Sequence, residues 1–116
     1  MPGSDQHFTQ YKKNRSFLNV LMQQEQPAYD WIVTVAFYTA LHLVEKTIAQ
    51  MGANSADHKM RERFINSLAE LRPIRNQYLF LEMESKKSRY YCVPFMKESA
   101  LASIDQLSQI ETVLIK

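Results

Sequence analysis

Apolar residues along the chain recur at spacings of three and four, which is the spacing of an α-helix that buries one face. The first such segment lies between residues 4 and 25. Its predicted buried stripe consists of Phe8, Tyr11, Leu18 and Met22, with Phe17 and Leu21 beside it. Pro27 lacks a backbone N–H group, so it ends this helix and suits the first turn of the next one.

The second segment, DWIVTVAFYTALHLVEK at residues 30–46, is the most apolar part of the chain. Residues 31–44 form a run of 14 without a formal charge at neutral pH, broken by one histidine, His42. A membrane-spanning helix needs roughly 18 to 20 apolar residues, which this run does not reach. Since a helix that is apolar on nearly every side is typical of the middle of a bundle, we expect a buried core helix. It runs to about Met51 and ends at Gly52.

Three further helices are predicted after this one. The third takes Asn54 or Ser55 as its N-cap. Its buried stripe consists of Met60, Phe64, Leu68 and Leu71, with Ile65 beside it. Pro73 breaks the chain, and a fourth helix runs from there to about residue 91. The last helix, at about residues 97–115, is expected to bury Leu101, Ile104, Leu107 and Leu114.

No alternating strand pattern, repeat or linker interrupts these segments, so we predict one all-α domain over residues 1–116. Its expected architecture is an up-and-down bundle of four to five helices. Only 2 glycines and 4 prolines are present, fewer than turn-rich β folds use. The single cysteine, Cys92, leaves no intramolecular disulfide possible, and residues 1–15 lack the features of a signal peptide. We therefore expect a cytoplasmic protein without a membrane segment.

The net charge of +2 is unevenly distributed. Residues 58–90, here called the basic segment, contain eight Lys or Arg against four Asp or Glu. Such an excess is suited to a phosphate backbone. The same charged residues can instead form only the solvated face that a helical bundle presents to water.

Histidines on two helices are candidates for proton transfer. His42 shares a helix face with Tyr38 and Glu45, where it can act as a general base or simply hydrogen-bond within the bundle. His58 shares a face with Arg61, and an imidazole beside a guanidinium is a pair that RNA cleavage can use. The alternative interpretation is an exposed, salt-bridged start of the third helix.

The sequence SKKSRYY, residues 85–91, places three cations and two tyrosines at the end of the fourth helix. Cations are favourable there because the C-terminus of a helix carries partial negative charge. Arginine beside tyrosine is also a combination that binds phosphate and stacks on a base. Both interpretations remain open.

Metal and nucleotide-triphosphate motifs are missing from the sequence. The histidines at 7, 42 and 58 and Cys92 form no close-spaced ligand pair, and neither His-Glu-x-x-His nor Cys-x-x-Cys occurs. With only Gly3 and Gly52 in the chain, no glycine-rich phosphate loop exists. We predict no metal and no cofactor.

A family resemblance comes from three stretches taken in order with the closing amphipathic helix: DWIVTVAFYTALHLVEK, HKMRERF and LRPIRNQYLFLEMESKKSRYY. Over about residues 16–115 the chain resembles the HEPN superfamily. The resemblance implies a four- or five-helix bundle, often a symmetric dimer, of the kind found in toxin–antitoxin, phage-defence and RNA-processing systems. It also implies that many relatives are metal-independent ribonucleases. Their motif is an arginine followed after four to six residues by a histidine.

This chain departs from the ribonuclease motif. The best-placed arginine, Arg75, is followed at the required spacings by Phe80, Leu81 and Glu82, and no arginine lies five to seven positions before any histidine. We therefore expect a non-enzymatic binding and dimerisation domain, a homodimer that contacts RNA, a nucleotide or a partner protein. The residues expected to make that contact are Lys59, Arg61, Arg63, Lys86, Lys87, Arg89 and Tyr90.

The alternative is a divergent metal-independent ribonuclease. In that case His58 is the expected base, and Arg61 and Arg89 are the cations that stabilise the phosphate across a dimer cleft. The position of His58 relative to Arg89 distinguishes the two hypotheses.

Overall fold

The computed structural model describes residues 2–90 and 97–115, and these residues form an all-α bundle, as predicted. Its helices, with one 3-10 turn, are α1 (Ser4–Met22), α2 (Tyr29–Gln50), α3 (His58–Ser67), the turn Arg72–Ile74, α4 (Arg75–Tyr90) and α5 (Lys97–Leu114). The predicted end of the fourth helix near residue 91, and Cys92, lie outside the described residues.

Helix α2 is the central helix of the bundle and packs against α1, α4 and α5. By length and hydropathy alone it is able to cross a membrane, but 72% of its apolar window is buried inside the bundle. Its completely buried side chains are Val33, Ala36, Thr39, Ala40, Leu43, Val44 and Ile48. This burial confirms the prediction of a core helix, because neighbouring helices cover most of its apolar surface.

The connection after α2 turns at Gly52, as the sequence predicts. Gly52 has a φ of +82°, a left-handed conformation that glycine adopts without steric cost. The predicted N-cap of α3 is wrong: Asp57 takes that place, and its Oδ1 accepts the Met60 N–H at 2.9 Å. Ser55 instead donates its hydroxyl to the Glu45 carboxylate, so it does not cap the helix.

Helix α3 is shorter than its apolar stripe, and α1 and α5 each expose a residue that was expected to be buried. It ends at Ser67, and Leu71 is buried beyond it at the start of the 3-10 turn. On α1, Phe17 is 52% exposed, and on α5 Leu101 is 53% exposed. Ala100, Ser103, Leu107 and Ile110 form the buried side of α5.

Polar contacts join α1 to its neighbours. Glu111 on α5 accepts hydrogen bonds from the Tyr11 hydroxyl and from the Arg15 Nε, the latter at 3.1 Å. Nδ1 of His7 lies 3.1 Å from Nδ1 of His42 on α2. These contacts fix α1 along both α2 and α5.

Candidate functional site

An open groove lies between the first half of α2 and the last turn of α4. Its volume is about 440 Å³, within the range of typical small-ligand sites. The side chains that line it are Asp30, Trp31, Thr34, Tyr38, Ser88 and Arg89. We call it the α2–α4 groove. Four of the six come from the helix that sequence analysis assigned to the core.

Two hydroxyl groups hold the two helices together at the base of the groove. Ser88 Oγ donates to the backbone carbonyl of Asp30 at 3.0 Å. Thr34 Oγ1 lies 2.9 Å from the same Ser88 oxygen. Because a serine hydroxyl has one proton, Thr34 is the donor in the second bond. The start of α2 is therefore fixed against the end of α4.

Arg89 is held in a defined orientation within this groove. Its Nη1 donates to the Tyr38 hydroxyl at 2.8 Å, and its Nε donates to the Ser85 carbonyl at 3.3 Å. The guanidinium carbon lies 5.0 Å from the centre of the Tyr90 ring, 5.5 Å from that of Tyr38 and 5.8 Å from that of Phe37. Stacking of this kind is attractive because the ring faces are electron-rich.

Three of the five guanidinium N–H groups of Arg89 have no partner among residues 2–90 and 97–115. Both acceptors that it does contact, Tyr38 and Ser85, are neutral oxygens. The positive charge therefore remains available to an anion, while the side chain is already ordered by the rings around it.

Two exposed aromatic rings lie in or beside the groove: Trp31 lines it, and Tyr90 lies against the Arg89 guanidinium. Trp31, the only tryptophan of the chain, is 59% exposed, and Tyr90 is 67% exposed. Large aromatic side chains normally bury most of their surface, so their exposure beside an arginine is informative. Rings and a guanidinium arranged in this way can stack on bases and bind phosphate.

Sequence analysis identified part of the groove and missed the rest. Of the predicted contact residues, Arg89 lines the groove and Tyr90 lies beside its guanidinium, whereas Trp31, Thr34 and Asp30 were not predicted. Trp31 and Tyr38 are seven residues apart, which places them on one face of α2. That spacing was a usable signal, but it does not show which helix lies opposite.

Arg61 occupies a different environment from Arg89. Its Nε lies 2.6 Å from Glu45 Oε1, and its Nη1 lies 3.4 Å from the Tyr78 hydroxyl. Glu45 also accepts a hydrogen bond from the Ser55 hydroxyl. Burial raises the pKa of Tyr78 to about 12, so this hydroxyl stays protonated at neutral pH. Arg61 therefore belongs to an internal polar network that joins α2, α3 and α4.

His58 lies in the exposed first turn of α3, next to a carboxylate pair. Burial raises the pKa of Glu82, the carboxylate of Glu62 raises it further, and the charge of His58 acts in the opposite direction. The α2–α4 groove does not include His58. Arg89 lies seven residues beyond Glu82 on α4, a rise of about 10 Å along the helix.

The remaining predicted contact residues divide between two helices. Lys59 and Arg63 are exposed on α3. On α4, Lys86 lies 3.9 Å from Glu82 and Lys87 lies 3.6 Å from Glu84. The two lysine side chains are 44% and 42% exposed while both glutamates are mostly buried, and at such separations the pairs are weak. The structure thus separates an α3 group from the groove at the end of α4.

His42, the other candidate base, contacts His7 in the seam between α1 and α2 and does not line the groove. Burial lowers its pKa, and the neighbouring His7 lowers it further. Within the described ranges, no group of three or more His, Cys, Asp or Glu side chains is placed to hold a metal ion.

Comparisons with protein-family models, with curated proteins and with solved structures find no significant match to this chain. The geometry of the groove and the family resemblance of the sequence are therefore the grounds for assigning a function.

Proposed function

We propose that this domain is a non-enzymatic, self-associating HEPN-like binding module whose α2–α4 groove binds single-stranded RNA or a nucleotide. The observation that supports this most directly is Arg89, an ordered cation near exposed aromatic rings, three of whose N–H groups have no partner among residues 2–90 and 97–115. The family resemblance suggests a toxin–antitoxin, defence or RNA-processing context.

The phosphate of the ligand is the expected partner of Arg89. Guanidinium groups bind phosphate oxygens through two parallel hydrogen bonds, and the ordering of this side chain lowers the entropy that binding costs. The contacts with Tyr38 and Ser85 orient the plane of the guanidinium before the ligand arrives.

The bases of the ligand are the expected partners of Trp31 and Tyr90. Stacking on an aromatic side chain contributes about 1–3 kcal/mol per base and is tolerant of sequence. Both rings are more than half exposed, so a base can reach their faces without a rearrangement of the core.

A binding role is favoured over RNA cleavage by the placement of the candidate catalytic groups. Cleavage at a ribose hydroxyl requires a base within hydrogen-bond reach of it. The groove is lined by no histidine, and Arg61 is occupied by Glu45. His58 lies beside Glu82, two helical turns from Arg89.

The test is fluorescence anisotropy of a labelled single-stranded RNA at about 50 and about 200 mM salt. We expect Arg89→Ala to weaken binding about tenfold and to reduce its salt dependence, because one charged hydrogen-bonding group is lost. Trp31→Ala is expected to weaken binding by a similar factor. Arg63→Ala, which removes an exposed arginine from α3, is the matched control and is expected to change affinity less than twofold.

An equal loss in the Arg63 and Arg89 variants would contradict the groove as the binding site. The RNA recovered from each titration is run on a gel and is expected to be intact. Cleavage that survives a chelator and disappears in His58→Ala would establish the ribonuclease alternative instead.

A further inference from the structure

The α2–α4 groove carries opposite charges from two helices. Asp30 and Arg89 both line it, yet no ion pair joins these two described side chains. Asp30 is exposed, and its carboxylate accepts no hydrogen bond from any residue in the described ranges. The bond between Asp30 and Ser88 goes to the backbone carbonyl of Asp30. A phosphate-binding groove with a free carboxylate is unusual, because the carboxylate repels the phosphate.

The hydroxyl of Ser88 fixes the backbone of Asp30 relative to that of Arg89. It bonds to the Asp30 carbonyl, and the next residue along α4 is Arg89 itself. Tyr38, which holds the guanidinium, lies eight residues beyond Asp30, a rise of about 12 Å along α2. Asp30 and Arg89 nevertheless line the same groove, so one nucleotide can contact both, with its phosphate at Arg89 and its base edge at Asp30.

A carboxylate distinguishes the base edges by their donors. Guanine presents two adjacent donors, N1–H and the 2-amino group, which match the two oxygens of a carboxylate. Adenine and cytosine each present one amino group beside a ring nitrogen lone pair, which the carboxylate repels. Uracil presents one N–H between two carbonyl oxygens. Of the four bases, guanine therefore fits best.

We propose that the groove selects guanine nucleotides, with Asp30 accepting hydrogen bonds from the guanine N1–H and 2-amino groups while Arg89 binds the phosphate. This inference rests on the proposed nucleotide-binding function and adds to it the identity of the base. Asp30 is then the specificity-determining residue, and Ser88 is a positioning residue that sets its distance from Arg89.

The test uses the fluorescence of Trp31, which is the only tryptophan and lies in the groove. The full chain is titrated with GMP, IMP, AMP, CMP and UMP, and quenching is measured. We expect GMP to bind about tenfold more tightly than AMP, CMP or UMP. IMP retains N1–H but lacks the 2-amino group, so its affinity is expected to lie between those of GMP and AMP.

Asp30→Asn keeps the shape of the side chain and removes its charge. It is expected to lower the affinity for GMP about tenfold and to leave that for UMP unchanged or higher, because repulsion of the phosphate is relieved. Asp5→Asn, which changes an aspartate in the first turn of α1, is the matched control for helix-terminus effects and is expected to alter neither affinity.

The possible failures are distinguishable. Equal quenching by all nucleotides, unchanged in Asp30→Asn, would overturn the guanine preference and leave nucleotide binding intact. A uniform loss of affinity for every nucleotide in Asp30→Asn, with a lower melting temperature, would show a structural role and also overturn it. The proposed function itself would be overturned if no nucleotide quenched the fluorescence and if Arg89→Ala left the RNA affinity measured by anisotropy unchanged.

Discussion

Two arginines of the basic segment differ in the charge of their partners. Arg61 pairs with the carboxylate of Glu45, which is only 7% exposed. Arg89 contacts the neutral oxygens of Tyr38 and Ser85. The charge of Arg61 is therefore neutralised inside the bundle, whereas that of Arg89 is available to a ligand.

Arg61→Ala is expected to reduce the free energy of unfolding by about 3 kcal/mol, because it leaves the buried carboxylate of Glu45 without its cation. Urea denaturation measures this loss. Below the unfolding transition, the affinity for RNA is expected to stay within twofold of that of the wild type. Arg63→Ala, an exposed control, is expected to change stability by less than about 0.5 kcal/mol. An unchanged stability with lost RNA binding in Arg61→Ala would contradict this assignment.

The contact between His42 and His7 predicts a dependence of stability on pH. The His42 pKa is lowered from 6.5 in the folded chain by burial and by His7, with Glu45 and Arg61 acting in opposite directions. Below pH 6.5 the unfolded state therefore binds more protons than the folded state. The free energy of unfolding is expected to fall as the pH decreases from 6.5 towards the folded pKa.

Urea denaturation of the wild type and His42→Gln between about pH 7.5 and pH 5 checks this prediction. The fall in stability is expected to be smaller in the variant. The pKa of Glu82 is raised in the folded chain, so Glu82 alone would make the free energy of unfolding rise as the pH decreases towards its unfolded pKa of 4.5. The wild type and the variant share this contribution, so it cancels in the comparison. His58→Gln is the exposed control. Parallel pH profiles for the wild type and His42→Gln would contradict the prediction.

Among the elements, the turn that ends α2 depends on a single backbone conformation. A Cβ added at Gly52 would meet nothing within 4 Å, so only the φ of +82° opposes a side chain there. Gly52→Ala is expected to lower the free energy of unfolding by about 1 kcal/mol. Gly3→Ala, at a φ of −88°, is the control and is expected to change it by less than about 0.5 kcal/mol. Equal effects in thermal denaturation would contradict the backbone explanation.

The sequence was sufficient to predict which helix is central and where it ends. A helix with uncharged residues on every face has few stable places outside a bundle core, and a glycine is the residue that most readily forms the turn after it. The sequence was insufficient for the cap of α3. Asn54, Ser55 and Asp57 are all residue types that cap helices well. The Ser55 hydroxyl is instead hydrogen-bonded to Glu45, and Asp57 caps the helix. The contact between Ser55 and Glu45 joins α2 to the connection that follows it and leaves no local pattern.

The groove was only partly predictable for the same reason. A run of cations and tyrosines marked Arg89 and Tyr90, since such runs bind phosphate or simply cap a helix. Trp31 and Asp30 belonged to a segment whose apolar character indicated burial. Their exposure depends on where α4 crosses α2, and that crossing is a tertiary feature of the packed bundle.

For the whole molecule, self-association stays a prediction of the family resemblance, with some support from its surface. Phe17 and Val20, three residues apart on α1, are each more than half exposed. Light scattering at high concentration is expected to give twice the 13.6 kDa mass of the chain. Phe17→Ser with Val20→Ser is expected to shift the population to the monomer, and Lys13→Ser on the same helix is the control. A monomeric wild type would contradict this prediction.

Helix α3 has a weaker attachment than the other four helices of the described chain. Ile65 is its only buried side chain, and the bonds from Arg61 to Glu45 and Tyr78 complete its connection to the core. Segments with so few buried contacts open locally at a lower free energy than global unfolding requires. The amides of α3 should therefore exchange with deuterium sooner than those of α2. Lys59 and Arg63 would detach with it, while Arg89 stays in place on α4.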